Sequence, residues 1–246
     1  MFVEYYIPTN TTTLHYINND NIAIVEYTTT CPKFKYGKFV YNDDDKNFYL
    51  FNELLENQRI NEVWILEKSC DKIKWKLVIC CHTPFLEQYK DFSICYLKNY
   101  NTFFMFGGLK LPEHVKSEFV NTCWYCSVKK SKLNSATNFD SDYISGTWKQ
   151  IQLLPLPGNK IPSKRSKSLI AYDSDTFSIL IFGGINEKKE YITDVWSFNL
   201  LTNIWTEIHV NPNNVPNFQD FEFCIKFEYY EKEKCFFLTT KYNIAI

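Results

Sequence analysis

The chain has 246 residues, of which 45% are hydrophobic and 18% aromatic, and this is enough to bury a substantial core. Its 27 basic and 28 acidic residues give a net charge of −1, so no overall field draws it to nucleic acid or to an anionic membrane. The first residues lack the pattern of a secretory signal, and no apolar run is long enough to span a bilayer. We therefore expect a cytoplasmic protein that binds neither nucleic acid nor membrane and keeps its nine cysteines reduced.

The first 30 residues are predicted to form strands of a partial repeat unit. Residues 2–7 align on residues 180–185 as one strand, and residues 15–27 align without a gap on residues 196–208. We therefore expect the segment 15–27 to supply the last two strands of a decayed unit, because repeats of tens of residues indicate one recurring supersecondary structure.

Residues 31–80 are predicted to form a complete unit of four strands, which we letter a to d. The strands are expected at 38–41, 47–51, 61–66 and 74–78, with Trp64 in strand c and Trp75 in strand d. The Asp43-Asp44-Asp45 run between strands a and b is typical of a turn.

Residues 90–153 are predicted to form a second unit, with strands at 91–96, 103–108, 123–125 and 147–151. Strand b ends in Gly107-Gly108, and Trp124 and Trp148 occupy strands c and d. Two inserts lengthen this unit, 109–121 and 128–146, and the second has the polar composition of a long surface loop.

Residues 165–210 are predicted to form the clearest unit, with strands at 168–172, 177–182, 194–198 and 204–208. Strand b is almost wholly apolar, as expected for a strand covered on both faces. It ends in Gly183-Gly184, where a glycine pair indicates a special backbone conformation or a close approach. Trp196 and Trp205 follow in strands c and d.

This third unit resembles a kelch repeat, which is one blade of a β-propeller. The glycine pair and the two tryptophans match the kelch pattern position by position, and the segment 161–168 resembles its Pro-then-Arg lead-in to strand a. The resemblance implies an all-β, kelch-type β-propeller of antiparallel four-stranded blades, with Trp196 and Trp205 between neighbouring blades. The kelch motif residues of the three units are Trp64, Trp75, Gly107, Gly108, Trp124, Trp148, Gly183, Gly184, Trp196 and Trp205.

The ends of the chain leave two arrangements open. Residues 219–246 are predicted to give strands a and b of a last blade, at 221–227 and 234–239, and no further strand. These strands could share one blade with the N-terminal strands, so that a single domain over residues 1–246 closes a ring of about four blades and hides its edges. Alternatively, the chain is part of a larger propeller.

The sequence contains no recognisable catalytic or cofactor motif. It has neither a phosphate-binding glycine loop nor a Gly-x-Ser-x-Gly nucleophile motif. Cys123 and Cys126 form a Cys-x-x-Cys, but in a strand their side chains point to opposite faces and cannot share a metal ion. The histidines show no paired spacing, so we expect no catalytic residue, metal or cofactor.

Charged residues cluster in the segments that should meet at one end of the blades. The b–c and d–a connections emerge at the same end of antiparallel strands, and loops on a rigid scaffold are common binding sites. The candidate partner-binding residues at this end are Arg59, His114, Lys116, Lys160, Lys164, Arg165, Lys167, Glu187, Lys188, Lys189 and Glu190.

The leading hypothesis from the sequence is a non-catalytic module that presents these loops to a protein partner. Two alternatives follow from the kelch resemblance. One is a propeller enzyme of the sugar oxidase or isomerase type, and the other is a regulatory kelch fragment of a larger phosphatase or ubiquitin-ligase adaptor.

Overall fold

A computed structural model of the protein describes residues 2–6, 11–15, 27–30, 36–53, 62–69, 72–81, 88–111, 116–131, 143–153, 158, 160–210, 224–240 and 244–245. Over these ranges the chain consists of strands and turns, with one short 3-10 turn at Lys98–Tyr100. The predicted all-β class is confirmed. Within the same ranges no helix is long and apolar enough to cross a membrane.

The chain divides into two compact units, Met1–His82 with Val128–Gly146 and Thr83–Ser127 with Thr147–Ile246. In the first of these compact units, three strands form an antiparallel sheet: β1 (Phe2–Tyr6), β2 (Thr11–His15) and β3 (Tyr27–Thr30). Strand β1 lies where the sequence predicts a strand. The strand pair predicted within residues 15–27 lies largely outside the described residues. Only its first and last residues are described, because β2 ends at His15 and β3 begins at Tyr27.

Four consecutive antiparallel strands lie where the blade of residues 31–80 is predicted, but they belong to a nine-stranded sheet and not to a separate four-stranded blade. They are β4 (Tyr36–Asn42), β5 (Asn47–Glu53), β6 (Val63–Ser69) and β7 (Lys72–Cys81). Neighbouring residues along β5 point to opposite faces, yet Tyr49, Leu50 and Phe51 are all at most 2% exposed. Both faces of this strand are therefore covered, which explains its continuous apolar sequence.

Both inserts of the second blade begin and end in strands, so the prediction of a long surface loop over 128–146 is wrong at its two ends. Strand β10 (Thr102–Leu111) continues past the glycines, and β11 (Glu118–Ser131) pairs with it from Glu118 onwards. Strand β12 (Tyr143–Gln150) lies between β7 and β11 in the sheet order. The physical reason is that a strand edge is stabilised by a hydrogen-bonded neighbour, so β12 covers an edge that β7 would otherwise expose.

Gly146 allows β12 to approach β7 closely. A Cβ atom at this position would lie 2.8 Å from the Cys80 Sγ and 3.1 Å from the Val78 Cγ1. We predict that Gly146→Ala lowers the free energy of unfolding by about 1–3 kcal/mol through overpacking.

A double-mutant cycle in urea tests this contact. Cys80→Ala shortens the blocking side chain, so Gly146→Ala should cost at least about 0.5 kcal/mol less in the Cys80→Ala protein than in the native one. Equal costs in the two backgrounds would contradict the proposed contact.

In the second unit, β8 (Gln88–Lys90) and β9 (Ser93–Leu97) both pair with β10, which continues to β11 and β12. The third blade repeats this arrangement with β13 (Arg165–Ser166), β14 (Leu169–Asp173), β15 (Ser178–Asn186), β16 (Tyr191–Asn199) and β17 (Ile204–Ile208). In both blades the first short strand pairs with the part of strand b that lies beyond the glycines.

The a–b hairpin turn is the most regular feature of the fold. Its last residue has a positive φ in four places, at Lys46 (58°), Asn101 (45°), Phe177 (52°) and Lys234 (50°). The fourth turn joins β18 (Cys224–Tyr230) to β19 (Cys235–Thr240), so this hairpin has the same turn geometry as the three a–b hairpins. The turn between β16 and β17 also ends on a positive φ, at Asn203 (56°).

The C-terminal sheet extends further than the sequence predicts. Strand β20 (Ile244–Ala245) pairs with β19, so the expectation of no third strand there is wrong. Strands β18–β20 and β1–β3 form two separate sheets. The described strands therefore do not form the shared terminal blade that the sequence left open.

The core of the second compact unit, Thr83–Ser127 with Thr147–Ile246, lies between the strands of the second and third blades. The rings of Phe106 and Trp205 are 5.3 Å apart, and those of Phe104 and Phe198 are 5.5 Å apart. Aromatic pairs at these separations add to the stabilisation from buried area. Trp196 and Trp205 belong to one buried cluster that contains residues of both sheets, and its other members are Leu97, Phe104, Phe106, Cys123, Ile151, Ile179, Ile181 and Phe198.

Candidate partner-binding face

The double glycines let the lead-in segments pack directly on strand b. Gly183 and Gly184 have φ values of 61° and 112°, and the strand register shifts at this point. A Cβ on Gly184 would lie 2.7 Å from the Ser166 carbonyl oxygen, and one on Gly107 would lie 2.6 Å from the Arg165 carbonyl oxygen. Side chains are thus excluded by backbone conformation and by contact.

Backbone hydrogen bonds join the lead-in segments of the two blades. The Lys167 amide donates to the Asp91 carbonyl oxygen over 2.8 Å. Both residues have a positive φ, 56° and 54°, and occupy equivalent places before strand a. The Ser93 hydroxyl also donates to the Ser168 carbonyl oxygen. These contacts fix the base from which the candidate face projects.

Arg165 lies inside the fold, and its predicted place on the partner-binding face is corrected. Its side chain is 0% exposed. The guanidinium donates to both carboxylate oxygens of Asp194, at 2.5 and 2.7 Å, and to the Gly183 carbonyl oxygen at 3.1 Å. Ser163 accepts two further hydrogen bonds through its carbonyl and hydroxyl oxygens. A charged group satisfied in this way is a structural element.

The tryptophan of strand c has the same partner geometry in all three complete blades. The indole N–H of Trp64 donates to Glu62, that of Trp124 to Thr122 and that of Trp196 to Asp194, always two residues earlier. Side chains at i and i+2 share one face of a strand, so this spacing brings the acceptor to the indole. The sequence analysis missed this signal, although the acceptors are visible in the sequence.

Two residues of the predicted face, Lys164 and Glu187, lie close together, and Glu118 of β11 joins them. The Lys164 Nζ lies 2.7 Å from the Glu118 Oε1 and 3.9 Å from the Glu187 Oε1. Lys164 thus joins the b–c segments of both blades. Its hydrogen bond to Glu118 raises the pKa of the lysine and lowers the pKa of the glutamate.

The other predicted face residues have the following positions. Lys160 is exposed, with its Nζ 4.0 Å from the Glu207 Oε2. Arg59 and His114 lie outside the described residues. The exposed members of the predicted set are Lys116, Lys160, Lys167, Glu187, Lys188, Lys189 and Glu190, and Lys164 is half-buried.

A polar cleft of about 340 Å³ opens beside Lys164. Tyr89, Lys110 and Glu118 face each other across β8, β10 and β11, and all three line the cleft. Thr122 and the buried Trp124 continue the same face of β11. We define these five residues and Lys164 as the rim cleft. Glu118 lies in the predicted 109–121 insert, and no sequence signal marks it as a site residue.

The Cys-x-x-Cys segment lies in the middle of β11. Cys123 and Cys126 are both 0% exposed, and burial raises the pKa of the Cys123 thiol. Over the described ranges no group of three His, Cys, Asp or Glu residues is arranged to hold a metal ion. Burial and a raised pKa make Cys123 a poor nucleophile, consistent with a packing role.

Comparison with known proteins identifies the third blade. Residues 178–208, which cover β15, β16 and β17, match the Kelch motif. The sequence matches no curated protein. A chain from the cryo-EM structure of RAG in complex with one melted RSS and one unmelted RSS aligns with a TM-score of 0.49 and 13% identity, covering 80% of this chain and 60% of that chain. The motif match confirms the resemblance found in the sequence: the protein carries a kelch motif, as expected for a divergent kelch-repeat chain.

Proposed function

We propose that the protein is a non-catalytic interaction module, built as a small kelch-type β-propeller of about four blades. Its partner is a protein that binds the end of the second and third blades where the b–c and d–a segments meet. Hairpins lie at the four places where strands a and b are predicted, with turns that end at Lys46, Asn101, Phe177 and Lys234, and this supports the blade number.

The position of Lys164 carries the proposal. This residue comes from the d–a segment of the third blade and contacts a glutamate from the b–c segment of each blade. Three separate chain segments therefore form one charged surface on a rigid base, with a cleft beside it. Such surfaces, with binding groups held by buried strands, are common interaction sites.

Capture of partners from a lysate, with two charge-matched variants, tests the location. The face variant changes Lys160, Lys164 and Lys167 to Glu, and Arg165 is left intact because it is buried. The control variant changes Lys98, Lys232 and Lys234 to Glu, in the a–b turns at the opposite end. The face variant replaces three positive charges with negative ones, which should repel a partner that binds through acidic groups. We expect it to reduce recovery of the main partner at least about tenfold, and we expect the control variant to change recovery little. Equal recovery with both variants would contradict the proposal.

A further inference from the structure

The strongest unexplained feature of the rim cleft is that one of its cations already holds a carboxylate from the same chain. Glu118 is exposed, with 53% of its side chain accessible, and yet its Oε1 is 2.7 Å from the Lys164 Nζ. Lys110 lies directly across the strand pair from Glu118 and also lowers its pKa. The carboxylate thus lies between two lysines of the cleft wall.

The composition of the cleft favours an anionic and extended occupant. Among the described lining residues, two lysines and one glutamate carry charge, and the walls include Tyr89 and Trp124. The volume of about 340 Å³ is at the lower end of the roughly 300–1,000 Å³ typical of ligand pockets. It therefore suits a few side chains of a peptide better than a large cofactor.

We propose that the rim cleft binds an extended peptide segment through an Asp or Glu side chain, which replaces the Glu118 carboxylate on Lys164. This proposal rests on the proposed function and specifies the chemistry of the partner. Glu118 then acts as an internal competitor that weakens binding. Exchange is feasible because the pair is solvent-exposed and such pairs contribute little to stability.

Selection and binding measurements on the full chain test this inference. A displayed library of random 12-residue peptides is selected on the immobilised protein, and enriched peptides are synthesised with each Asp or Glu changed to its amide. We expect one acidic position to be enriched, and its amide form to bind about tenfold more weakly in fluorescence anisotropy, the usual range for a charge-assisted hydrogen bond.

Two variants of the protein should change this affinity in opposite directions. Glu118→Gln removes the competitor and should tighten binding of the acidic peptide about threefold, as expected for loss of a surface ion pair. Lys164→Gln should abolish the difference between the acidic and amide peptides. Lys98→Gln, in an a–b turn, should leave both affinities unchanged. Both cleft residues are partly exposed, so thermal unfolding should confirm an intact fold for each variant.

Several results would overturn the inference. These are enrichment of peptides without an acidic position, an acid preference that survives Lys164→Gln, weaker binding by Glu118→Gln, or no enrichment at all. None of these results decides whether a protein partner binds this end of the blades, which the lysate experiment tests. The proposed acidic peptide and the proposed binding face can therefore fail separately.

Discussion

Replacing Arg165 with Met will lower the free energy of unfolding by about 3–5 kcal/mol, the usual cost of removing one partner of a buried ion pair. The substitution leaves the Asp194 carboxylate without its bidentate partner, and the Gly183 carbonyl oxygen loses a donor. It also disturbs the segment whose carbonyl oxygen lies against Gly107. Chemical denaturation of the full chain measures the effect.

Lys167→Met is the matched control, because Lys167 is two residues away and exposed. A surface change of this kind should stay within about 0.5 kcal/mol. Asp194→Asn should be at least as damaging as Arg165→Met, since it leaves the Arg165 charge buried with neutral acceptors only. The double variant, Arg165→Met with Asp194→Asn, should lower the free energy of unfolding by less than the sum of the two single effects. An Arg165→Met protein as stable as the Lys167→Met protein would contradict the assigned role.

Gly184→Ala is expected to cost about 2–5 kcal/mol, by combining two separate effects. A φ of 112° is unfavourable for alanine, at about 1–2 kcal/mol for a left-handed conformation. The new Cβ would also lie 2.7 Å from the Ser166 carbonyl oxygen and 2.8 Å from the Ser168 Oγ. Overpacking of this type costs a further 1–3 kcal/mol or so.

Gly158→Ala separates the two effects. Gly158 has a φ of 84°, but apart from its chain neighbours no atom of the described residues lies within 4 Å of a Cβ placed there. The Gly158→Ala protein should therefore lose only the stability that the left-handed backbone conformation costs alanine, about 1–2 kcal/mol. Urea denaturation of both variants provides the comparison. If Gly184→Ala loses no more than Gly158→Ala, the close approach of the lead-in segment to strand b is wrong.

The strands and their order in the complete blades could be predicted because they depend on local patterns. The runs ending in Gly107-Gly108 and Gly183-Gly184 are apolar, and Trp124 and Trp196 follow at repeat spacing. Burial on both faces produces such runs without long-range information. The same patterns therefore sufficed for the all-β class and the kelch resemblance.

The burial of Arg165 could not be predicted in the same way. An arginine between Lys164 and Lys167 has the sequence context of an exposed basic segment, and its burial depends on Asp194, which is 29 residues away. The strand ends at 109–111, 118–121 and 128–131 were missed for a related reason. Their polar residues resemble a loop, and only pairing with neighbouring strands stabilises them as β structure.

Hydrogen–deuterium exchange of the full chain, with and without the captured partner, tests the central claim most directly. We predict that the partner slows amide exchange in the connecting segments 116–118, 160–164 and 187–190, which surround Lys164. The a–b turns at 98–101, 174–177 and 231–234 should exchange as in the free protein. Protection confined to the a–b turns would place the partner at the opposite end of the blades and contradict the proposed binding face.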